Sequence, residues 1–159
     1  MTGMVLDADL VFLDMDASGA EGVIRALGTK LIEKGYVREG FIDAVIERER
    51  DFPTGLPTAI PVALPHTDAI HCARCALAIA VLRHPVTFRE MGDSTRELSV
   101  QIVMLLAIDD PKAQVPWLQS IVGLLQDGDC LRSIQTATDS RELALQIQQM
   151  LEEKENHAD

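Results

Sequence analysis

The stretch SVQIVMLLAI, residues 99–108, decides the fold class of this chain. It is almost continuously apolar, with only Ser99 and Gln101 as polar members. A strand covered on both faces has this pattern, because neither of its two rows of side chains meets water. Residues 99–108 are therefore predicted to form a strand in the middle of a β-sheet.

The segments before this strand predict helices, a loop and shorter strands. Apolar residues three and four apart predict helices over residues 18–34 and 38–50, with Gly35 as the left-handed C-terminal cap of the first. Residues 9–14 are predicted to pair at a sheet edge. The segment 52–65 holds four prolines, which predicts a loop with a short strand around Val62.

The segments on either side of residues 99–108 complete the pattern. Residues 75–88 are predicted as two strands divided near His84 and Pro85. A helix is predicted to have Pro116 in its first turn, a short one to follow near 130–134, and a last one to open at Asp139. This mixture of strands and helices predicts a sheet covered by helices.

Composition narrows the class of protein. A chain of 159 residues with 47% hydrophobic content predicts one domain over residues 1–159. The formal charge of −11 disfavours nucleic acid and anionic membrane surfaces as partners and favours a basic protein surface. No apolar run approaches the roughly 20 residues that span a bilayer, so no membrane insertion is expected. The acidic first residues and an odd number of cysteines predict a reducing compartment, the cytoplasm.

The stretch LPHTDAIHC, residues 64–72, contains the candidate chemistry. His66, His71 and Cys72 are candidate metal ligands, but the adjacent His71 and Cys72 would have to point the same way, and no second ligand cluster exists. Cys72 and Cys75 form a Cys-Ala-Arg-Cys motif, but it leads into a strand pattern rather than a helix, which disfavours a redox site.

A nucleophilic histidine is the third interpretation. Pro65 stiffens the backbone before His66, and a neutral imidazole is nucleophilic near neutral pH, since its pKa is about 6.5. Thr54 and Thr67 are candidate donors to an anion, and Arg48 could neutralise one. A surface histidine beside a turn explains the spacing equally well.

Three short motifs carry a family resemblance: Arg48-Glu49, Thr54-Gly55 and Leu64-Pro65-His66. In their order and spacing they resemble the IIA components of the bacterial phosphoenolpyruvate-dependent sugar phosphotransferase system, in the fructose/mannitol superfamily. FPTGL and PHTDAIH, including His71, resemble the galactitol-type branch in particular. The similarity extends from about residue 24 to 151.

The resemblance implies a fold and a reaction. The fold would be the mannitol/fructose-type IIA fold, an α/β domain with a mixed sheet flanked by helices on both faces. His66 would accept phosphate on Nε2 from phosphorylated HPr and pass it to a cysteine of a IIB component, which works with a membrane IIC component. Arg48 would clamp the phosphoryl oxygens, Thr54 would donate to them or support the loop, and neither metal nor cofactor would be required.

The chain departs from the superfamily pattern at the position of a second histidine. The fructose and mannitol members have this histidine after the central strand, where this chain has Gln114, which can hydrogen-bond but carries no charge. His71 is a candidate to compensate. Two other functions stay open: a nitrogen-type regulatory IIA paralogue that acts by binding proteins, and a metal-binding module that uses His66, His71 and Cys72.

Overall fold

The apolar run lies in the middle of a five-stranded sheet, as predicted. The computed structural model describes residues 3–157, with side chains as far as Lys154. Its strands are β1 (Val11–Met15), β2 (Gly55–Leu56), β3 (Val62–Ala63), β4 (Ala76–Glu90) and β5 (Asp93–Ala107). Ile102 and Val103 of β5 pair in parallel with β3 and antiparallel with β4. β1 pairs in parallel with β4, so the sheet is mixed.

β4 and β5 form one long hairpin, which the sequence patterns did not predict in full. β4 is continuous where two strands were predicted, and the predicted division is a register shift between Val81 and Val86. β5 begins at Asp93, six residues before the predicted start, because its first half is polar and exposed and carries no apolar run. Gly92, at a φ of +83°, supplies the left-handed conformation of the turn.

In the described part of the chain, five α-helices accompany the sheet: α1 (Ala20–Glu33), α2 (Phe41–Asp51), α3 (Gln114–Leu125), α4 (Gly128–Gln135) and α5 (Ser140–His157). Gly35, at a φ of +77°, ends α1 as predicted. Asp139 accepts hydrogen bonds from the main chain of Arg141 and Glu142 and so caps α5. α2 begins three residues later than predicted, because Val37 pairs with Cys72 in an antiparallel bridge and the N–H of Arg38 donates to the carbonyl of His71, which keeps this segment outside the helix.

The two faces of β5 bury against different helices. Ile102, Met104 and Leu106 pack in a cluster with apolar residues of α3, α4 and α5. Val103 and Leu105, which alternate with them, pack in a second cluster with α1 and α2. The helices therefore cover both faces of the sheet, which confirms the predicted fold class.

To span a bilayer, one of these helices would need about 20 predominantly apolar residues. Among residues 3–157, none of them combines the length and the apolar character that a membrane-spanning segment needs.

Candidate functional site

The proline-rich segment brings the predicted site residues onto neighbouring elements. Arg48 and Glu49 lie on the last turn of α2, Thr54 immediately precedes β2, and His66 follows β3. β2 and β3 pair antiparallel, so the residues before β2 and after β3 meet at one end of this small hairpin. Gly55 is required here, since a β-carbon would lie 2.6 Å from the main-chain oxygen of Arg89 in β4.

His66 is held in one orientation. Only 8% of its surface is exposed, and its Nδ1 lies 2.8 Å from the main-chain oxygen of Leu64. Because a carbonyl oxygen can only accept, Nδ1 carries the proton of the neutral ring and Nε2 keeps its lone pair. Burial is the largest cause of a lowered pKa for His66, and the positive charge of Arg48 acts in the same direction. The geometry therefore leaves Nε2 as the ring nitrogen with a free lone pair, which is the atom that a nucleophilic role would require.

Arg48 has an unused donor in this site. Its guanidinium carbon lies 5.4 Å from the centre of the Phe52 ring, which stabilises the charge against an aromatic face. Its Nε is buried and has no hydrogen-bond partner among the described residues. A buried N–H without an acceptor is costly, so a bound anion that supplied one would be favoured here.

Glu49 and Thr54 support the histidine loop, residues 64–72, from the side of α2. The main-chain N–H of Thr54 donates to one carboxyl oxygen of Glu49 at 2.9 Å, and its hydroxyl lies 2.7 Å from the other. The same hydroxyl accepts from the N–H of Leu64 at 3.1 Å. In this arrangement the Thr54 hydroxyl is fully engaged by the protein.

Glu49 is the site residue that the sequence analysis missed as a candidate. It stood beside Arg48 in the quoted motif, and that position is the one feature of the sequence that pointed to it. Burial raises its pKa to about 7, although both bonds from Thr54 and the charge of Arg48 oppose the shift. A carboxyl group that titrates near neutral pH therefore lies behind the histidine loop.

Gln114 and Thr67 connect the loop to α3. Thr67 is buried next to His66, and its main-chain oxygen accepts a hydrogen bond of 2.9 Å from the side-chain nitrogen of Gln114. Gln114 is the first residue of α3. The position that resembled the family's second histidine therefore contacts the residue directly after His66.

His71 lies in a different setting. Its ring lies beside Gly40, where a β-carbon would be 3.6 Å from Nδ1. Gly40 precedes α2 and Arg48 lies near its end, about 12 Å further along the axis at 1.5 Å per residue. The structure shows no hydrogen bond between His71 and His66 among the described residues.

The geometry does not support the metal and redox interpretations. No group of three or more histidine, cysteine, aspartate or glutamate side chains within residues 3–154 is placed to hold a metal ion. Burial raises the pKa of both the Cys72 and Cys75 thiols to about 11, which keeps them protonated and unreactive near neutral pH.

Comparisons with known proteins show the family of this chain. Residues 4–150 match the family described as "Phosphoenolpyruvate-dependent sugar phosphotransferase system, EIIA 2". The galactitol-specific EIIA component of Escherichia coli K12 is 27% identical over 142 residues, which are 89% of this chain and 91% of that protein.

Two solved structures share the fold. The crystal structure of IIA mannitol from Escherichia coli superposes with a TM-score of 0.74 at 22% identity and covers 93% of this chain and 99% of its own. The complex of enzyme IIAMTL with phosphorylated enzyme IIBMTL from Escherichia coli gives a TM-score of 0.73 at 23% identity, over 90% of this chain and 99% of its own.

Proposed function

This chain belongs to the phosphoenolpyruvate-dependent sugar phosphotransferase system EIIA 2 family and is a phosphoryl carrier in sugar uptake, and on that premise we propose that Nε2 of His66 carries the phosphate. The observation that supports this assignment is the hydrogen bond between Nδ1 of His66 and the Leu64 carbonyl. It leaves Nε2 as the ring's nucleophilic lone pair. The carrier acts as one domain.

The transfer takes place in two displacements on phosphorus. In the first, the Nε2 lone pair forms a bond to the phosphorus of phosphorylated HPr while the bond to the donor side chain breaks. In the second, a cysteine thiolate of the IIB component forms a bond to phosphorus, and the electron pair of the N–P bond returns to His66. Nδ1 keeps its proton throughout, because the Leu64 carbonyl still accepts it.

The surrounding residues position and neutralise the phosphoryl group. Arg48 supplies the positive charge, and its unpartnered Nε–H gains an acceptor when phosphate is present. Thr67 lies next in the chain, and its hydroxyl would donate to a phosphoryl oxygen. Thr54 and Gln114 hold the loop, from β2 and from α3. His71 supports the far end of the loop.

Partners dock on an apolar surface around His66. Phe52, Ile70 and Val115 are 63%, 75% and 61% exposed. Phe52 lies against Arg48, Ile70 is on the histidine loop, and Val115 is adjacent to Gln114. A partner must reach His66 to exchange phosphate and would cover these side chains. HPr is the donor, and the IIB component of a cytoplasmic relay that ends at a membrane IIC is the acceptor. The galactitol-type relative favours a polyol as the transported substrate.

The test is intact-mass analysis after incubation with phosphoenolpyruvate, Enzyme I and HPr. We expect the wild type to gain one phosphate that acid removes, and peptide mapping to locate it on His66. The His66→Ala variant should gain none. A phosphate that persists in His66→Ala, or no gain with HPr proven active on a known acceptor, would contradict the assignment.

A further inference from the structure

We propose that Glu49 is a positioning residue for the transfer: its carboxyl group acts through Thr54 and the main chain of Leu64 to fix the tautomer and orientation of the His66 ring. The role of this network in transfer rests on the proposed function of His66. Its effect on the ring itself does not, because a tautomer exists whether or not phosphate ever binds.

The contacts form an unbroken series of hydrogen bonds from Glu49 to the His66 ring, which we call the positioning chain. Glu49 holds Thr54 through two hydrogen bonds, one to its N–H and one to its hydroxyl. The Thr54 hydroxyl accepts from the N–H of Leu64, and the carbonyl of Leu64 accepts from Nδ1 of His66. Each member is fixed by the one before it, and the last member determines which ring nitrogen is free.

The Thr54 hydroxyl determines which groups donate and which accept in the positioning chain. It accepts from Leu64, so its own hydrogen must point elsewhere, and the Glu49 oxygen at 2.7 Å is the acceptor on that side. The N–H of Leu64 also lies 3.4 Å from the main-chain oxygen of Thr54. Because of this second, longer contact, loss of the hydroxyl should loosen the loop without releasing it.

Protonation of Glu49 would rearrange the hydrogen bonds of the positioning chain. A protonated carboxyl group can donate to the Thr54 hydroxyl, and that hydroxyl would then have to turn its hydrogen away. Several charged groups face Glu49. Arg48 is its neighbour on α2, and a cavity of about 490 Å³ beside it is lined by the ion-paired Glu21 and Arg50 and by Arg89 and Glu97 of the β4–β5 hairpin. The effect of pH on the ring must therefore be assigned by substitution of Glu49 itself.

Three variants separate positioning from general support. Thr54→Val keeps the shape but removes the hydroxyl, and Thr54→Ser restores the hydroxyl as its matched control. In Glu49→Gln the amide oxygen can accept from the N–H of Thr54 while the amide nitrogen donates to its hydroxyl, so this variant imitates the protonated carboxyl group at every pH.

The measurements are the ¹⁵N chemical shifts of the His66 ring, which report its tautomer, and the rate of phosphate transfer from HPr between pH 5.5 and 8.5. In the wild type we expect the Nδ1–H tautomer and an inflection of the rate near the pKa of Glu49, about 7. Thr54→Val should lower the fraction of that tautomer and slow transfer about tenfold, the scale of one lost hydrogen bond. Thr54→Ser should restore both, and Glu49→Gln should lose the inflection.

The outcomes distinguish the two proposals. A normal tautomer and rate in Thr54→Val, or an unchanged pH profile in Glu49→Gln, would overturn the role of Glu49 while leaving His66 as the acceptor. Shifted ring signals in a protein that gains no phosphate on His66 would support the positioning chain and overturn the proposed function. Circular dichroism identifies a variant that fails to fold, in which case the remaining two decide.

Discussion

The two halves of the histidine loop, residues 64–67 and 69–72, each contain a histidine, but they are built differently. In the first half Leu64, His66 and Thr67 are buried, and main-chain groups hold the imidazole ring. In the second half Ala69–His71 form a short 3₁₀ turn in which Ile70 is 75% exposed. There the main-chain groups bind Arg38, through the carbonyls of Ile70 and His71.

This difference is the structural reason to propose His66, rather than His71, as the nucleophile. The first half uses its backbone to orient a side chain, whereas the second half uses its backbone to attach the loop to the segment before α2. A reactive imidazole must present one nitrogen in one direction, so orientation counts for more than the presence of the ring. The experiments below test whether the functional difference follows the structural one.

The largest effect is expected when the same substitution is made at the histidine of each half. His66→Gln should abolish phosphate transfer from HPr, a loss of at least about a thousandfold, because the nucleophile itself is gone. His71→Gln should remain within about threefold, since this ring lies at the other end of α2 from Arg48. Single-turnover transfer measured by quenched flow is the assay. Equal losses in both variants would contradict the distinction.

The next largest difference in transfer rate is expected between substitutions of Arg48, beside the first half, and Arg38, which binds the second half. Arg48→Ala should slow transfer by about ten- to a thousandfold, the scale for removing one donor to a transition state. Arg48→Lys should recover only part of this, because an ammonium group lacks the Nε–H and the planar fork. The matched control is Arg38→Ala, which removes the side-chain bond to the Ile70 carbonyl in the second half. A comparable loss in the control would show that the loop needs support generally rather than charge at His66.

Gln114 should give a smaller effect, limited to the first half. Gln114→Ala removes one hydrogen bond to the Thr67 carbonyl, so transfer should slow by about fivefold. Gln119→Ala changes an exposed glutamine on the same helix and should leave the rate as it is. A loss above a hundredfold in Gln114→Ala would instead indicate that this side chain contacts the phosphoryl group.

The sequence predicted the parts of the fold whose burial produces a regular pattern of apolar residues. The run in β5 and the spacing in α1 follow directly from burial, and Gly35 follows from a backbone conformation that glycine adopts readily. The long hairpin was predicted incompletely. β4 was divided at His84 and Pro85, which are exposed within a continuous strand, and β5 was started six residues late because residues 93–98 have no apolar pattern. Long-range pairing has no signature in a single strand.

The candidate site also has features that the sequence could predict and features that it could not. Side chains with distinctive chemistry, such as Arg48 and His66, could be proposed from the resemblance and lie on adjoining elements. The group that fixes the His66 ring is the carbonyl of Leu64, and every residue type has a carbonyl. The Glu49 and Thr54 contacts depend on how α2 and the β2–β3 hairpin meet in three dimensions. No local sequence rule could have supplied them.

The last expected effect is on stability rather than on the transfer rate: a change in the free energy of unfolding with pH tests the network behind the first half of the loop. The pKa of Glu49 is about 7 in the folded protein against an ordinary 4.5 in the unfolded chain, so between these values the folded state binds the extra proton. The free energy of unfolding should therefore fall as the pH rises from about 4.5 to 7. His66 acts in the opposite sense: its folded pKa lies below 6.5, so its contribution rises with pH up to that value.

Urea unfolding of the wild type and Glu49→Gln across this range separates the two groups, because His66 is common to both proteins. The free energy of unfolding of the wild type minus that of Glu49→Gln should decrease as the pH rises toward 7 and then level off. Glu47→Gln, an exposed carboxyl on the same helix, controls for the loss of one negative charge. A difference curve for Glu49→Gln that matches this control would mean that Glu49 is not held neutral by burial, and the first half of the loop would then differ from the second only through the Leu64 carbonyl and Arg48.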